Sequence, residues 1–107
     1  MDKKRFKVKK IIGEYKETLR NLGIHVERVI LYGSYARGTA RKDSDIDVVV
    51  ISKDFKKLNL RERLEILGVA AARIMKPIEA RGYTGKEIQD VSRGSFLEEI
   101  LAGGIVV

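Results

Sequence analysis

Apolar residues recur at spacings of three and four from Phe6 through Val8, Ile11, Ile12, Tyr15 and Leu19. That period places one face of an α-helix against a core. It predicts a helix over Lys3 to Leu22, stopped at Asn21-Leu22-Gly23, where glycine suits a left-handed C-terminal cap. His25 to Tyr32 is β-branched and ends in an apolar run, so it reads as a first strand, broken by Gly33-Ser34. Tyr35 to Ala40 has room only for a short helix or turn. Ile46 to Ile51 is apolar apart from Asp47 and reads as a second, central strand.

Leu58 to Met75 carries the strongest helical pattern, with Leu60, Leu64, Leu67, Ala71 and Ile74 as its expected core stripe. Asn59 or Ser52 is the expected cap, and Pro77 ends the element. Ile78 to Tyr83 reads as a third strand, and Lys86 to Val91 as a short helix. A last helix runs from Ser92 or Ser95 to Leu101, Ser95 and Glu98 having the spacing of a capping box. The tail from Leu101 to Val107 is apolar: a candidate docking or oligomer surface, or a segment folded onto the sheet.

This order implies an α+β fold, a mixed β-sheet packed against helices, in a single domain spanning residues 1–107. The link between the first two strands, residues 33–45, is interrupted by Gly33 and Gly38. It is too short for a comfortable parallel crossover, which needs a dozen or more residues and usually a full helix. They are therefore expected to lie antiparallel, which brings Gly33-Ser34 beside Asp45 and Asp47.

With 44% hydrophobic residues and few aromatics, the core must be aliphatic. The absence of Cys excludes disulfides and thiolate metal sites, leaving oxygen ligands or the single His25. His25 itself reads as an exposed or locally satisfied residue. No apolar run approaches a membrane span, no basic-then-apolar leader is legible, and the expected home is the cytoplasm. The net charge of +7 suits an anionic ligand. Much of the excess lies in Lys3, Lys4, Arg5, Lys7, Lys9 and Lys10, which also read as the wet face of the first helix. Nucleic acid is not the expected ligand, because aromatic stacking positions are sparse.

The chemistry concentrates in Tyr32-Gly33-Ser34-Tyr35-Ala36-Arg37-Gly38 and Asp43-Ser44-Asp45-Ile46-Asp47. Asp45 and Asp47, two apart on a strand, point to one face. Like charges there repel, and a Mg²⁺ ion, which prefers carboxylate and phosphate oxygens, relieves the repulsion. A third carboxylate would complete a two-metal site, and Glu79, alone in Pro-Ile-Glu-Ala, is the candidate. Asp43 is in phase with the pair as a substitute. A strand that breaks at Gly33-Ser34 into a helix exposes backbone N–H groups suited to phosphate. Ser34 can add its hydroxyl, and Arg37, Arg41 and Lys42 can neutralise a triphosphate. Tyr32 and Tyr35 read as packing residues.

Gly-Ser, ten residues, then Asp-x-Asp resembles the signature of the DNA polymerase β-like nucleotidyltransferase superfamily, and the spacing matches in full. Gly33-Ser34-x-Ala36-Arg37-Gly38 followed by Ser44-Asp45-x-Asp47 is similar to its small stand-alone branch, the minimal nucleotidyltransferases. The resemblance implies a polymerase β palm-like fold and transfer of a nucleoside monophosphate from ATP to a hydroxyl. It implies that Asp45 and Asp47 ligate two Mg²⁺ ions, and that Ser34 and the Gly33 backbone hold the β- and γ-phosphates. Glu79, where the family often has Asp, would be the third ligand and base. It further implies a HEPN-domain toxin as partner, modified on a tyrosine. Neutralisation of that partner by contact alone, or transfer to a small molecule, are the alternatives.

Overall fold

A computed structural model describes residues 3–91 and 94–107, with side chains from residue 7 onward. The expected Ser92 cap and the side chains of Lys3, Lys4, Arg5 and Phe6 lie outside the described residues. Helix α1 covers Lys3–Asn21 and buries Val8, Ile12, Tyr15 and Leu19 on one face. It stops as its sequence indicates: Gly23 takes φ +94, and the Ile24 amide reaches back to the Leu19 carbonyl at 2.8 Å.

The strands are β1 (Arg28–Tyr32), β2 (Ile46–Ile51), β3 (Ile78–Tyr83) and β4 (Ile105–Val106). Among the described residues they form one sheet in the order β3-β2-β1-β4. β1 is antiparallel to β2, as expected of so short a link, and β2 is parallel to β3. The longer connection through helix α3 (Leu60–Ile74) makes that parallel crossover. Strand β1 begins later than its β-branched sequence suggests, because the preceding residues bond elsewhere. The His25 amide donates to the Asp54 carboxylate at 2.7 Å, and its carbonyl accepts from Ser52 Oγ at 2.7 Å. The apolar tail folds onto the sheet, where Ile105 and Val106 pair antiparallel with Leu31 and Ile30, leaving the Val106 side chain exposed.

Alternation along the strands sends side chains to two cores. Val29, Leu31, Ile46, Val48 and Val50 pack with α1 and α3. Ile30, Val49 and Ile51 pack with Ile100 of helix α5 (Phe96–Gly103), and Ile88 of the short helix α4 (Gly85–Gln89) joins them. Buried Tyr15 ties α1 to α3 by donating to the Leu67 carbonyl at 2.8 Å. Both expected caps are used: Asn59 makes a reciprocal capping box with Glu62 at α3, and Ser52 caps a 3-10 turn over Lys53–Lys57. Ser95 caps α5 by accepting from the Glu98 amide.

The core stripe of α3 differs from the periodic reading. Leu67 and Ala71 are buried, but Leu60 and Leu64 are mostly exposed, and Arg63 is inside. Arg63 donates to the Leu58 carbonyl at 3.0 Å, to the Gly82 carbonyl of β3 at 3.2 Å, and to both oxygens of Glu87. Its guanidinium lies over the buried Phe55 ring. Four hydrogen bonds to fixed partners outweigh what a leucine would gain there, so the helix turns Arg63 inward. Gly82 completes the arrangement, since a Cβ there would meet the Phe55 ring at 2.8 Å.

Replacing Arg63 by Ala strands the buried Gly82 carbonyl and the part-buried Leu58 carbonyl and removes the partner of Glu87. The expected loss is about 2–4 kcal/mol, read from urea unfolding. A loss below about 0.5 kcal/mol, the scale of a surface substitution, would contradict this account.

Candidate active site

Gly33 ends β1 and caps the four-residue helix α2 (Ser34–Arg37). Its φ of +74 and ψ of −153 fall where only glycine is comfortable. A Cβ there would also overlap the Asp47 carboxylate. The glycine is thus required twice, and its missing side chain is the space Asp47 occupies. The Arg37 amide bonds the Gly33 carbonyl at 3.1 Å and the Thr39 amide bonds Ser34 at 2.9 Å, closing the turn at Gly38 with φ +75.

Asp47 pairs with Tyr32 across β1 and with Glu79 across β3. The three side chains therefore form one row on the sheet face away from α1 and α3. The row lies toward the C-terminal end of β1, next to Gly33. Asp45 directly precedes β2 and is exposed, whereas Asp47 is half-buried. Burial raises the Asp47 carboxyl above its ordinary value, and the negative charges of Glu79 and Asp45 push the same way. The Glu79 side chain is near enough to share a hydrogen bond with it, and Arg37 acts in the opposite sense. The sequence-predicted Gly33, Asp45, Asp47, Glu79 and Arg37 are thus brought together.

Lys42 and Asp43 are placed elsewhere. Lys42 lines a cavity of about 360 Å³ with Lys7, Val8, Ile11, Arg41 and Tyr35. That cavity opens on the α1 side of the sheet, behind the acid row. Asp43 sits in a turn closed by the Arg41 amide on Ser44 Oγ at 2.8 Å and the Ser44 amide on the Arg41 carbonyl at 3.1 Å. The strand phase that carries Asp47 does not extend back to it.

The acids offer hard oxygen donors, and their mutual repulsion is what a Mg²⁺ ion relieves. The donor set fits that ion in kind. Among the described residues, no three acidic or imidazole groups already close around one point. His25, bonded through Nδ1 to Asp54 at 3.1 Å, is remote from this chemistry in the pairing pattern.

One cation on this face escaped the sequence reading. Arg81 follows Glu79 by two residues and so shares its face of β3. Burial opposes its charge, but the Tyr83 and Tyr32 phenols more than offset this and raise its pKa. The Tyr32 phenol is itself raised, by burial first, with Arg81 acting against. The available signal was the strand phase, which continues from Glu79 to Arg81. A groove of about 400 Å³ runs along β3 from Glu79 past Arg81 to Tyr83, with the exposed Leu60 and Leu64 on its other wall.

The family model described as nucleotidyltransferase domain matches residues 8–99. A protein adenylyltransferase of Methanocaldococcus jannaschii is 37% identical over 67 residues, covering 62% of this chain and 66% of that protein. The protein adenylyltransferase MntA of Thermococcus cleftensis is 32% identical over 89 residues, covering 78% of this chain and 89% of that protein. In fold, the chain is similar to a solved nucleotidyltransferase of Sulfolobus solfataricus, with a TM-score of 0.66 and 20% identity over 96% of this chain and 81% of that one. It is also similar to a chain of a toxin–antitoxin solved with AMP-PNP, with a TM-score of 0.62 and 21% identity over 88% of this chain and 69% of that one.

Because the folded pKa of Asp47 is raised above its ordinary 3.8, the folded chain binds that proton more tightly than the unfolded chain. The resulting stability is full below the unfolded value and is lost as pH rises through the folded one. In buffer with EDTA at pH 7, Asp47→Asn should therefore melt above the parent. The gap should close as the pH is lowered to about 4. A lower melting temperature for the variant at pH 7 would mean that the acid row is not under like-charge strain.

Proposed function

We start from the fact that this chain belongs to the nucleotidyltransferase domain family, and we propose that it transfers AMP from ATP to a tyrosine hydroxyl of a partner protein. The carrying observation is the row of Asp47 and Glu79, with Asp45 beside it, set against the glycine turn. Such a row can receive a triphosphate at one end and an acceptor at the other.

In this reading the Gly33 backbone and the Ser34 hydroxyl hold the β- and γ-phosphates, and Arg37 offsets their charge. Asp45, Asp47 and Glu79 would hold two Mg²⁺ ions, which supply charge neutralisation at the attacking and leaving oxygens. The acceptor oxygen attacks the α-phosphorus, and the bond to the bridging oxygen breaks. Pyrophosphate leaves, and the hydroxyl proton passes to Glu79. Positioning and electrostatics supply most of the rate.

The relatives named as protein adenylyltransferases support a protein acceptor, and the toxin–antitoxin neighbour supports a toxin as that acceptor. We take the partner to be a HEPN-domain toxin and the protein to act as its antitoxin in the cytoplasm. The Glu79 end of the groove along β3 gives an acceptor chain access to the acid row. Among the described residues, no helix is long and apolar enough to cross a membrane.

The test is label transfer with Mg²⁺ and a co-encoded HEPN-domain protein as acceptor. Label from the α-phosphate of ATP should reach the acceptor, and label from the γ-phosphate should not. Asp45→Asn and Asp47→Asn should each lower the rate about a thousandfold or more. If Asp47→Asn still neutralises the partner at unchanged strength, contact alone is the mechanism and transfer is not.

A further inference from the structure

One aromatic ring stands open beside the acid row. Phe96 begins α5 and is 55% exposed, where a ring serving only the core would be covered. It is nevertheless held from two directions. The Tyr32 ring meets it edge-on, with centroids 6.5 Å apart and planes at 84°. The Arg81 guanidinium lies over one face of the ring, its carbon 5.0 Å from the centroid.

These neighbours are tied to the acids by strand register. Tyr32 is the β1 partner of Asp47, and Glu79 is its β3 partner. Arg81 lies two residues beyond Glu79, about 6.6 Å further along the same face. The acid row therefore separates the Gly33 turn from the wall made by Phe96 and Arg81. Arg81 enters none of the ion pairs among the described residues, although Glu79 is its near neighbour in sequence.

We infer that the face of Phe96 opposite the Arg81 guanidinium seats the nucleobase of the donor nucleotide, with Arg81 backing the ring. This rests on the nucleotidyl-transfer reading above. The donor then lies across the sheet in one direction, with its outer phosphates at the glycine turn, its α-phosphate over the acids and its base on the ring. Stacking on an aromatic ring backed by a planar cation is favourable for any base. Neither group reads a hydrogen-bonding edge. The seat therefore favours purines over pyrimidines by stacking area and separates ATP from GTP only weakly.

The experiment compares equilibrium binding of ATP and of inorganic tripolyphosphate, with Mg²⁺, to the parent chain, Phe96→Ala, Phe96→Trp and Arg81→Gln. Phe96→Ala should weaken ATP about tenfold while leaving tripolyphosphate unchanged. Phe96→Trp should restore ATP binding, and Arg81→Gln should weaken ATP more than tripolyphosphate. Retained tripolyphosphate binding also reports that each variant is folded. Equal loss of both ligands in Phe96→Ala, or loss of neither, overturns the base seat. A parent chain that binds tripolyphosphate as tightly as ATP overturns the seat and leaves the phosphate site standing. A parent chain that binds neither removes the transfer reading and the seat with it.

Discussion

Asp47 is held where its charge is least welcome, and the rest of the molecule is arranged to keep it there. Pairing with β3 sets Glu79 alongside it, while pairing with β1 sets Tyr32 on its other flank. Gly33 fills the remaining side with bare backbone. Any one of these contacts alone would let the side chain swing into water. Together they leave the repulsion to be relieved by a ligand. The sheet order follows from the same need, because a central β2 can receive an antiparallel neighbour ending at Gly33 and a parallel neighbour starting at Glu79.

Much of this was legible where local rules act alone. Strand β2 matches the apolar run Ile46–Ile51, and β3 matches the short alternating segment Ile78–Tyr83 that follows Pro77. The antiparallel pairing of β1 with β2 followed from loop length, and the approach of Gly33 to Asp47 followed from that pairing. Glu79 stood out as the lone carboxylate in Pro-Ile-Glu-Ala, and the register of β3 sets it beside Asp47.

What was not legible depends on distant partners. Helical periodicity gives α3 an apolar stripe but not its direction. The inward turn of Arg63 is decided by Glu87 and Gly82, which lie 24 and 19 residues away. Leu60 and Leu64 are exposed as a result. A two-residue strand such as β4 carries too little pattern to announce itself, and its partner lies at the other end of the chain. Lys42 illustrates a third limit. Nearness in sequence to Ser34 did not fix the side of the sheet to which the turn before β2 delivers it.

The Arg63 fork has a consequence beyond its hydrogen bonds. A sheet grows at its edges, and a strand with free amides and carbonyls can template another chain. β3 is one edge, and its outer Gly82 carbonyl is already engaged by a buried guanidinium. The opposite edge is a strand only two residues long. A chain so rich in Val and Ile strand sequence has the makings of a fibre. Its fold keeps one border to two residues and interrupts the other at Gly82.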